Sequence, residues 1–321
     1  MVRIFNGTDE DWDQLVAAGQ PYSGALLQSS LWAKVQQARG NVCVRLVDGN
    51  GAPSLWVALP IMPFIWVWYC PKGPRELFKK DEWGEAVSTL QKIKHAAILR
   101  IEPAHNFEMN QSALIFKRRA DVSASHTLLT PILKNTDELF KSFHEKTRYN
   151  IRVAHKHGIV VKKISKTELP EFEERILDLY SMTGNRHEIS ETPRKDLRAL
   201  FEVADVWAAF SGDKIVATSI HIGFGGAMTY LHGASDYEYR SQMAPYALHW
   251  AALQDAAARG FELYDWWGTA PPNDTQHRLF GVTRFKLGFG GELTASPGTF
   301  DAGIDRIRFG LYTALRRLRR S

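Results

Sequence analysis

The hydrophobic and polar positions of this chain follow two patterns in turn, one typical of β-strands and one typical of amphipathic helices. The turn sequence DGNG separates two hydrophobic stretches, residues 42–48 and 54–61, and predicts a β-hairpin. The apolar run 58–70 is too short to span a bilayer, so it predicts two buried strands separated at Pro63. The remaining predictions for this part of the chain are strands at 2–6, 66–70, 97–103, 115–119 and 126–131 and helices at 9–18, 30–39, 81–96 and 108–114.

A second series of helices and strands follows. Gly158 is placed to end a helix over 137–158, and Thr192 is placed to cap a helix over 192–203. The turns SGDK and GFGG separate three strands that we expect to form an antiparallel meander. The further predictions are strands at 159–164, 205–210, 214–224, 227–235 and 261–268 and helices at 167–187 and 244–260. The sequence therefore predicts an α/β (α+β) protein with two consecutive units, each a mixed sheet flanked by helices.

The order of elements in the second unit resembles the acyltransferase fold called GNAT. Members of that fold bind the pyrophosphate of coenzyme A through the backbone N–H groups of a glycine-rich turn at the start of the long helix. Here the turn reads RSQMAPYA, residues 240–247, and Pro245 stands at the first glycine position. Because proline has no N–H to donate, the sequence favours an acyl donor other than coenzyme A.

Composition and charge narrow the function classes. The 321 residues contain only two cysteines, which excludes a disulfide framework and a cysteine-based zinc site. We expect no metal site. We expect a cytoplasmic location, because the chain has few cysteines and its N-terminal stretch lacks the apolar core of a signal peptide. The net charge is +5, but residues 141–166 carry eight Lys or Arg against one acid, and residues 306–321 carry six Arg and no acid. Such clusters indicate an anionic partner: nucleic acid, nucleotide phosphate or a membrane surface.

Seven short stretches carry a resemblance to a known family. They are QSSLWAKVQQARG (28–40), YCPKGP (69–74), LRIEP (99–103), KTRYNIRVAHKHGIVV (146–161), MAPYALHW (243–250), ELYDWWG (262–268) and RFKLGFGG (284–291). In this order they resemble the FemABX aminoacyltransferases, which use aminoacyl-tRNA to extend the peptides of peptidoglycan precursors. The resemblance covers the chain in patches from about residue 28 to residue 292.

This resemblance implies two tandem GNAT-like domains, and no sustained heptad pattern between 137 and 200 predicts a coiled-coil arm. The expected domains are residues 1–132, completed by a helix at 297–321, and residues 133–296. The implied reaction is aminolysis of the aminoacyl-tRNA ester by a side-chain amine of the stem peptide on UDP-MurNAc-pentapeptide or lipid II. The resemblance also implies no cofactor besides aminoacyl-tRNA as co-substrate, and we expect a monomer.

The implied chemistry calls for a proton acceptor and for a group that stabilises the oxyanion. In the resemblance, Phe285 and Lys286 line the catalytic centre, with the lysine cation facing the ester carbonyl; a surface lysine beside a turn is the alternative. Glu102 and Asp265 end predicted strands and are the candidate proton acceptors; structural carboxylates are the alternative. The glycines after Lys286 are expected to turn the backbone into a strand, ELTA, since a phosphate loop has its lysine after the glycines.

Four further residues lie in stretches that the resemblance links to substrate binding. Lys34 matches a lysine that contacts the phosphates of the precursor, and Tyr246 matches a tyrosine that lines the acceptor site. Trp32 and Lys72 belong to two of the matching stretches and are included as substrate-binding candidates. The alternatives are a solvated helix face for Lys34 and a core aromatic for Tyr246.

Arg148, Arg152 and Lys156 are spaced by four residues and share one face of the helix predicted over 137–158. We expect this face to contact the tRNA backbone, so that affinity falls with salt; a merely solvated face is the alternative. The arginines of 306–321 are open to three interpretations: tRNA binding, contact with acidic lipid at the inner membrane face, or a disordered tail.

Two rival functions fit the same sequence. One is a coenzyme A-dependent N-acyltransferase of the same fold, and the other is a non-catalytic relative that binds RNA or precursor. No His-Glu-x-x-His, Cys-x-x-Cys, P-loop or Gly-x-Ser-x-Gly pattern occurs, so no motif of a metalloprotease, nucleotide-binding protein or serine hydrolase competes with them.

Overall fold

The structure is a computed structural model, and the chain divides into two compact units. The described residues are 1–19, 22–104, 114–187 and 192–318. The units are Met1–Ser125 together with Ala295–Ser321, and His126–Thr294. We predicted the boundary at 132/133, but it lies earlier because the strand at 126–131 pairs within the second sheet. The helix predicted at 108–114 lies almost wholly outside the described residues.

Strands and helices alternate along both units. The strands are β1 (Arg3–Ile4), β2 (Val42–Val47), β3 (Pro53–Met62), β4 (Ile65–Cys70), β5 (Ile98–Ile101), β6 (Lys117–Arg118), β7 (His126–Pro131), β8 (Val160–Ile164), β9 (Asp205–Ser211), β10 (Lys214–Phe224), β11 (Ala227–Ser235), β12 (Leu263–Gly268), β13 (Glu292–Ala295) and β14 (Phe300–Gly303). The helices are α1 (Asp9–Ala17), α2 (Ser30–Ala38), α3 (Glu82–Ile93), α4 (Thr136–Ser142), α5 (Glu145–Lys156), α6 (Leu169–His187), α7 (Arg194–Phe201), α8 (Ala244–Ala258), α9 (Phe280–Leu287) and α10 (Arg306–Leu318). Within the described ranges, no helix is long and apolar enough to cross a membrane.

Local chemistry explains where several predicted elements begin and turn. The hairpin of β2 and β3 turns at Asp48, whose Oδ1 accepts hydrogen bonds from the N–H groups of Asn50 and Ala52, both at 2.8 Å. Helix α1 begins at a capping box, in which the side chains of Thr8 and Asp11 each accept from the other's backbone N–H. The predicted hairpin and the predicted first helix are confirmed.

The first unit contains a seven-stranded sheet with the order β1-β2-β3-β4-β5-β14-β6. Strands β4 and β5 are parallel and α3 connects them, while the other neighbours are antiparallel. Trp56 and Trp68 from the sheet and Trp83 from α3 are fully buried in its main hydrophobic cluster. Such large side chains dominate the burial of apolar area, so they fix α3 against the sheet.

The second unit repeats this plan with the order β8-β9-β10-β11-β12-β7-β13. Strands β11 and β12 are parallel and α8 connects them, while β9, β10 and β11 form the predicted antiparallel meander. Leu248 and Leu253 of α8 are buried in one cluster with Tyr264 and Trp266 of β12. Two mixed sheets flanked by helices confirm the predicted fold class. In the described part of 137–200 the longest helix is α6, with 19 residues, and no coiled-coil arm occurs there.

Strands β7 and β14 each join a sheet different from that of the strand before them in the chain. β7 follows β6 of the first sheet but pairs with β12 of the second. β14 follows β13 of the second sheet but pairs with β5 and β6 of the first. The first sheet is therefore completed by residues that follow the whole second unit, and α10 belongs to the first unit.

The helix predicted over 137–158 is in fact two helices, α4 and α5, interrupted at Phe143 and His144. Phe143 is buried in the hydrophobic cluster, and the N–H of His144 donates to the carbonyl of Gly288 at 2.9 Å. The His144 ring then caps α5 by accepting from the N–H of Lys146 at 3.2 Å. A contact distant in the chain interrupts the helix, so local periodicity could not predict the break.

Two other helix starts differ from the predictions. Helix α7 begins after Pro193, so Thr192 is not its cap. Helix α9 has no counterpart among the predicted elements, because its first residues, FGVT, have low helix propensity. Thr283 fixes α9 instead: its Oγ1 donates to the carbonyl of Leu279 at 2.8 Å and accepts from the N–H of Ala270 at 2.7 Å.

The predicted turn into the strand ELTA is confirmed. Gly290 and Gly291 have φ angles of 78° and 107°, and a Cβ at Gly291 would clash with the carbonyl oxygen of Leu129. The glycines thus serve the turn between α9 and β13.

Candidate active site

Strand β12 ends in a bulge. Its pairing with β7 shifts between Asp265 and Gly268, and Trp267 has a left-handed φ of 55°. Oδ1 of the fully buried Asp265 accepts from the N–H of Trp267 at 2.9 Å and from the hydroxyl of Thr127. These two hydrogen bonds stabilise the bulge, which turns the carbonyl groups of residues 266–268 toward the side chain of α9 described next.

That side chain is Lys286, which is only 5% exposed. Its Nζ donates to the carbonyl oxygens of Gly268 at 2.6 Å, Trp266 at 2.7 Å and Trp267 at 3.5 Å. Burial lowers the pKa of Lys286 from 10.5 to about 7, and the carboxylate of Asp265 opposes this shift. Near neutral pH this lysine is therefore present in both its charged and its neutral form.

Aromatic rings surround this lysine. The ring centroid of Phe285 lies 4.9 Å from that of Tyr246 and 5.5 Å from that of His249. The Nζ of Lys286 lies 5.5 Å from the ring centroid of Tyr230, within the range of a cation–π contact. The second unit thus brings together the predicted residues Lys286, Phe285 and Tyr246 and the candidate carboxylate of β12.

A buried hydrogen-bonded chain adjoins these rings. The hydroxyl of Tyr264 lies 2.6 Å from Nε2 of His221 and 2.9 Å from Nδ1 of His249. Burial lowers the pKa of His221 to about 3 and that of His249 well below its usual range, with the nearby cation of Lys286 adding to the effect at His249. Both imidazoles are therefore neutral. The hydroxyl of Tyr264 donates its proton to the ring nitrogen of one imidazole and accepts a hydrogen bond from the ring N–H of the other.

No sequence motif singles out His249 or Tyr264. His249 follows Tyr246 by three residues in α8, so helical spacing alone places it on the same face of the helix. No sequence pattern could have found the carbonyl groups of residues 266–268, because the bulge that turns them depends on pairing with β7.

In the first unit, the carboxylate of Glu102 is surrounded by donors. Its Oε1 accepts from the N–H of Ser123 at 2.8 Å and from the hydroxyl of Thr299 at 2.9 Å. Its Oε2 accepts from the hydroxyls of Tyr69 at 2.6 Å and Ser123 at 2.8 Å, and more weakly from the N–H of Lys72 at 3.4 Å. With its lone pairs occupied, this carboxylate is better suited to joining chain segments than to accepting a substrate proton. Its catalytic role stays a prediction.

The side chain of Lys72 is held in the same region. Its Nζ donates to the carbonyl of Ala124 at 3.0 Å and to Oγ of Ser296 at 3.2 Å, and the residue is 7% exposed. Both partners belong to the first unit. A substrate-binding role for Lys72, which also stays a prediction, would therefore require these contacts to be exchanged.

Lys34 and Trp32 lie on α2. The Nζ of Lys34 lies 3.0 Å from Oδ2 of Asp9, whose other oxygen accepts from Arg45 at 2.6 Å. Hydrogen bonds from Arg45 and Lys34 lower the pKa of Asp9. Lys34 and Arg45 both line a cavity of about 420 Å³. Arg45, which was not predicted from the sequence, thus lies beside the predicted residue Lys34. The guanidinium of Arg39 lies 5.6 Å from the ring centroid of Trp32.

The three basic residues predicted to contact tRNA differ in their surroundings on α5. Arg148 donates to the carbonyl of Lys141 at 3.0 Å and so caps the end of α4. The guanidinium of Arg152 lies 5.5 Å from the ring centroid of Phe140, while its residue remains exposed. Lys156 is exposed to solvent in the last turn. The part of this face open to a ligand is therefore centred on Arg152 and Lys156.

Two named proteins are similar in sequence to this chain. The FemB aminoacyltransferase of Staphylococcus epidermidis is 27% identical over 104 residues, which is 32% of this chain and 25% of that protein. This match thus spans about a quarter of the length of FemB. A protein of Staphylococcus haemolyticus named lipid II:glycine glycyltransferase is 21% identical and is matched over 92% of this chain and 91% of its own length.

Among solved structures, FemX has the same fold. Its TM-score is 0.76 at 18% identity, with 96% of this chain and 99% of that chain covered. The model of the FemAB family matches residues 126–196 and 191–317, which together form more than half of the sequence. The chain belongs to the FemAB family.

Proposed function

We propose that the chain is an aminoacyltransferase that moves an amino acid from aminoacyl-tRNA to a side-chain amine of a peptidoglycan precursor, building a cross-bridge. Membership of the FemAB family and the similarity to a protein named lipid II:glycine glycyltransferase support this proposal. The observation that carries it is the buried amine of Lys286, held by backbone carbonyl groups at the end of β12.

Lys286 is suited to stabilising an oxyanion. Its two short hydrogen bonds, to Trp266 and Gly268, fix the ammonium group, whereas the third, to Trp267, is long at 3.5 Å. The third N–H can therefore turn toward an ester oxygen that gains negative charge when the amine attacks. A preorganised donor of this kind typically accelerates acyl transfer by about 10²–10³-fold.

The acceptor amine must lose a proton before it attacks. A lysine-like amine has a pKa of about 10.4, so only about one in 2,500 is neutral at pH 7. Burial lowers the pKa of Lys286 itself to about 7, which indicates that this environment disfavours ammonium groups. An amine entering beside Lys286 would meet the same burial and an additional positive charge. After the ammonium group has released one proton to solvent, the neutral nitrogen bonds to the ester carbon, the bond to the ribose oxygen breaks, and a second N–H proton of the amine passes to that oxygen.

For the tRNA we propose that its phosphates bind the exposed part of α5. Arg152 and Lys156 present two cations one helical turn apart, while Arg148 contributes less because it caps α4. Removing one cation that binds a phosphate should reduce the slope of affinity against salt by about 0.7 on single-stranded RNA. Lys156→Gln should show this change in slope in a tRNA-binding titration, and its stability should equal that of the wild type.

For the acceptor we propose that its diphosphate binds in the cavity beside α2. Lys34 and Arg45 supply the positive charge, and the diphosphate would compete with Asp9 for both. UDP-MurNAc-pentapeptide and lipid II both carry a diphosphate, so each is a candidate acceptor. Trp32, Tyr246 and Lys72 complete the proposed substrate-binding residues.

The coenzyme A-dependent alternative finds little support at the start of α8. Pro245 lies in the first turn and has no N–H, and the N–H of Tyr246 already donates to the carbonyl of Met243 at 3.0 Å. Fewer free N–H groups remain for a pyrophosphate at this helix end.

Reconstituted transfer tests the proposal. The purified chain is incubated with tRNA charged with each amino acid in turn and with either precursor, and the product is weighed by mass spectrometry. We expect one amino acid to be added to one acceptor amine, and none when the tRNA has been deacylated. If no charged tRNA supports transfer but acetyl-coenzyme A binds saturably in calorimetry, the coenzyme A-dependent function replaces ours. Muropeptides from cells with and without the gene identify the residue added in vivo.

A further inference from the structure

Helix α10 buries one face and exposes the other. On the inner face, Phe309 and Tyr312 pack in a hydrophobic cluster with side chains of β4 and β5. On the opposite face, the exposed fractions are 85% for Ile307, 53% for Leu311 and 38% for Leu315. These three aliphatic residues follow one another at intervals of four.

The spacing aligns the three side chains in one stripe. Positions i, i+4 and i+8 of a helix lie nearly above one another, and at about 1.5 Å per residue the stripe is about 12 Å long. Single exposed aliphatic residues are ordinary, but an aligned row of them leaves a contiguous apolar surface in water. Such a surface indicates a partner that covers it.

Positive charge flanks the stripe. Arg306 and Arg308 are exposed, Arg316 is half-buried, and residues 306–321 contain six arginines and no acid. Asp305 precedes the helix, and its Oδ2 lies 3.8 Å from the guanidinium of Arg308 and 3.8 Å from Nε2 of His95. The partner must therefore be apolar in its interior and negatively charged at its surface.

A further exposed apolar side chain lies at the turn between β3 and β4. Phe64 is 89% exposed at the tip of this hairpin. Its neighbours in the chain, Met62 and Ile65, pack in the same hydrophobic cluster as Phe309 of α10. The hairpin tip and the helix therefore adjoin one another within the first unit.

We propose that α10 and the Phe64 tip form a docking surface for a bilayer that contains anionic phospholipid. The apolar stripe enters the boundary between headgroups and acyl chains, and the arginines contact lipid phosphates, as in interfacial amphipathic helices. This inference does not rest on the proposed transfer activity, and it assigns a surface that the candidate active site does not use.

Two other occupants explain the surface less well. RNA would match the arginines, but phosphate contacts give no role to an aliphatic stripe. A second copy of the chain would match the stripe, but pairing two such helices about a twofold axis would bring their arginines together. A lipid surface satisfies both features at once.

Co-sedimentation of the full chain with vesicles tests the proposal. The vesicles are phosphatidylcholine alone or with roughly one-third phosphatidylglycerol. We expect binding to the anionic vesicles, reduced about tenfold for each apolar side chain removed in Ile307→Gln/Leu311→Gln. Arg306→Gln/Arg308→Gln should reduce binding about fivefold per charge on anionic vesicles only.

Matched controls test whether vesicle binding depends on the stripe or on any exposed aliphatic side chain. Ile115→Gln and Val160→Gln remove aliphatic side chains that are 81% and 53% exposed elsewhere, and they should leave vesicle binding unchanged. Circular dichroism and thermal unfolding should be unaltered in every variant, because the replaced side chains do not belong to the hydrophobic clusters.

Three results would overturn the proposal. In the first, the chain does not bind anionic vesicles, or binds them equally well after the double glutamine substitution. In the second, light scattering shows a dimer that Ile307→Gln/Leu311→Gln dissociates, which assigns the stripe to self-association. In the third, the arginine variant loses tRNA binding while vesicle binding stays at its original level, which assigns the charges to RNA.

Discussion

Strand β5 of the first unit and strand β12 of the second occupy the same place in their sheets. Each is connected through a helix to a parallel neighbour, β4 or β11. Each also has an antiparallel neighbour, β14 or β7, that is distant from it in the sequence. At the end of β5, the carboxylate of Glu102 accepts five hydrogen bonds. At the end of β12, three carbonyl groups hold the amine of Lys286.

The difference lies in how each buried charge is compensated. Five donors surround Glu102, so its carboxylate joins four segments of the first unit. Lys286 has neutral carbonyl oxygens as its partners, and burial lowers its pKa to about 7. The same position in the fold thus holds a fully hydrogen-bonded carboxylate in one unit and, in the proposed function, the reactive amine in the other.

The largest expected effect comes from removing the amine. Lys286→Met should lower the rate of transfer by about 10²–10³-fold, because the variant has no preorganised donor to the oxyanion. Its stability at neutral pH should not fall, since methionine introduces no buried charge. Single-turnover transfer and urea unfolding measure the two quantities.

Arg284→Met is the matched control for this substitution, because Arg284 is an exposed cation on the same helix. It should retain nearly full activity. Full activity in Lys286→Met would contradict the catalytic role.

The next effect is on the stability of the first unit. Glu102→Gln replaces one acceptor oxygen by an NH2 group that cannot accept, so the donors to that oxygen, such as the hydroxyls of Tyr69 and Ser123, lose their partner. We expect the free energy of unfolding to fall by about 2–4 kcal/mol, because charged hydrogen bonds are removed and buried donors are left without acceptors. Glu76→Gln, at an exposed carboxylate, should change it by less than about 0.5 kcal/mol.

A catalytic Glu102 would give the opposite result. Transfer activity would then collapse in Glu102→Gln under conditions where the variant remains folded. Activity and unfolding should therefore be measured at the same temperature.

The lowered pKa of Lys286 also predicts how stability depends on pH. In the unfolded chain the amine has a pKa near 10.5, and in the folded chain it is about 7. Between these values the unfolded chain binds more protons, so stability rises with pH by at most about 1.4 kcal/mol per unit. The rise should be present in the wild type and absent in Lys286→Met when urea unfolding is repeated from pH 7 to pH 10. Parallel curves for the two proteins would refute the lowered pKa.

The smallest expected effect concerns Asp265. Asp265→Asn removes the negative charge that opposes neutralisation of Lys286, so the pKa of the lysine should fall further. We expect the pH dependence of transfer to move down by about 0.5–1 unit. Thr127→Val removes the hydroxyl donor to Asp265 but no charge, so it should leave the pH profile in place. If the two variants shift the profile equally, the bulge and not the charge sets the pKa.

The sequence predicted those parts of the fold that depend on local chemistry. Asp48 and its glycine-containing turn fix the first hairpin, and alternating hydrophobic residues define the meander of the second unit. The resemblance to FemABX proteins pointed to Lys286, Phe285 and Tyr246, which the structure brings together.

The rest depends on contacts between distant residues. The break at Phe143 results from burial in the second core and from a hydrogen bond between His144 and Gly288. The bulge at Trp267 depends on pairing with β7, and the hydroxyl of Thr127 donates to the carbonyl of Trp267 within it. Helical periodicity and turn motifs do not predict contacts between distant residues, so the environment of Lys286 could not be predicted from the sequence.

Because β7 and β14 each join a sheet different from that of the strand before them, the order of synthesis affects how the protein folds. On the ribosome, β5 is made long before β14, so the first sheet cannot close until the whole second unit has emerged. Until then β5 presents an open edge, and Arg100 and Arg119 lack the buried carboxylate of Asp301 that binds both. The second unit, in contrast, has all its strands once residue 295 is made. We therefore expect the second unit to fold first, and a nascent chain truncated before β14 to aggregate through the first.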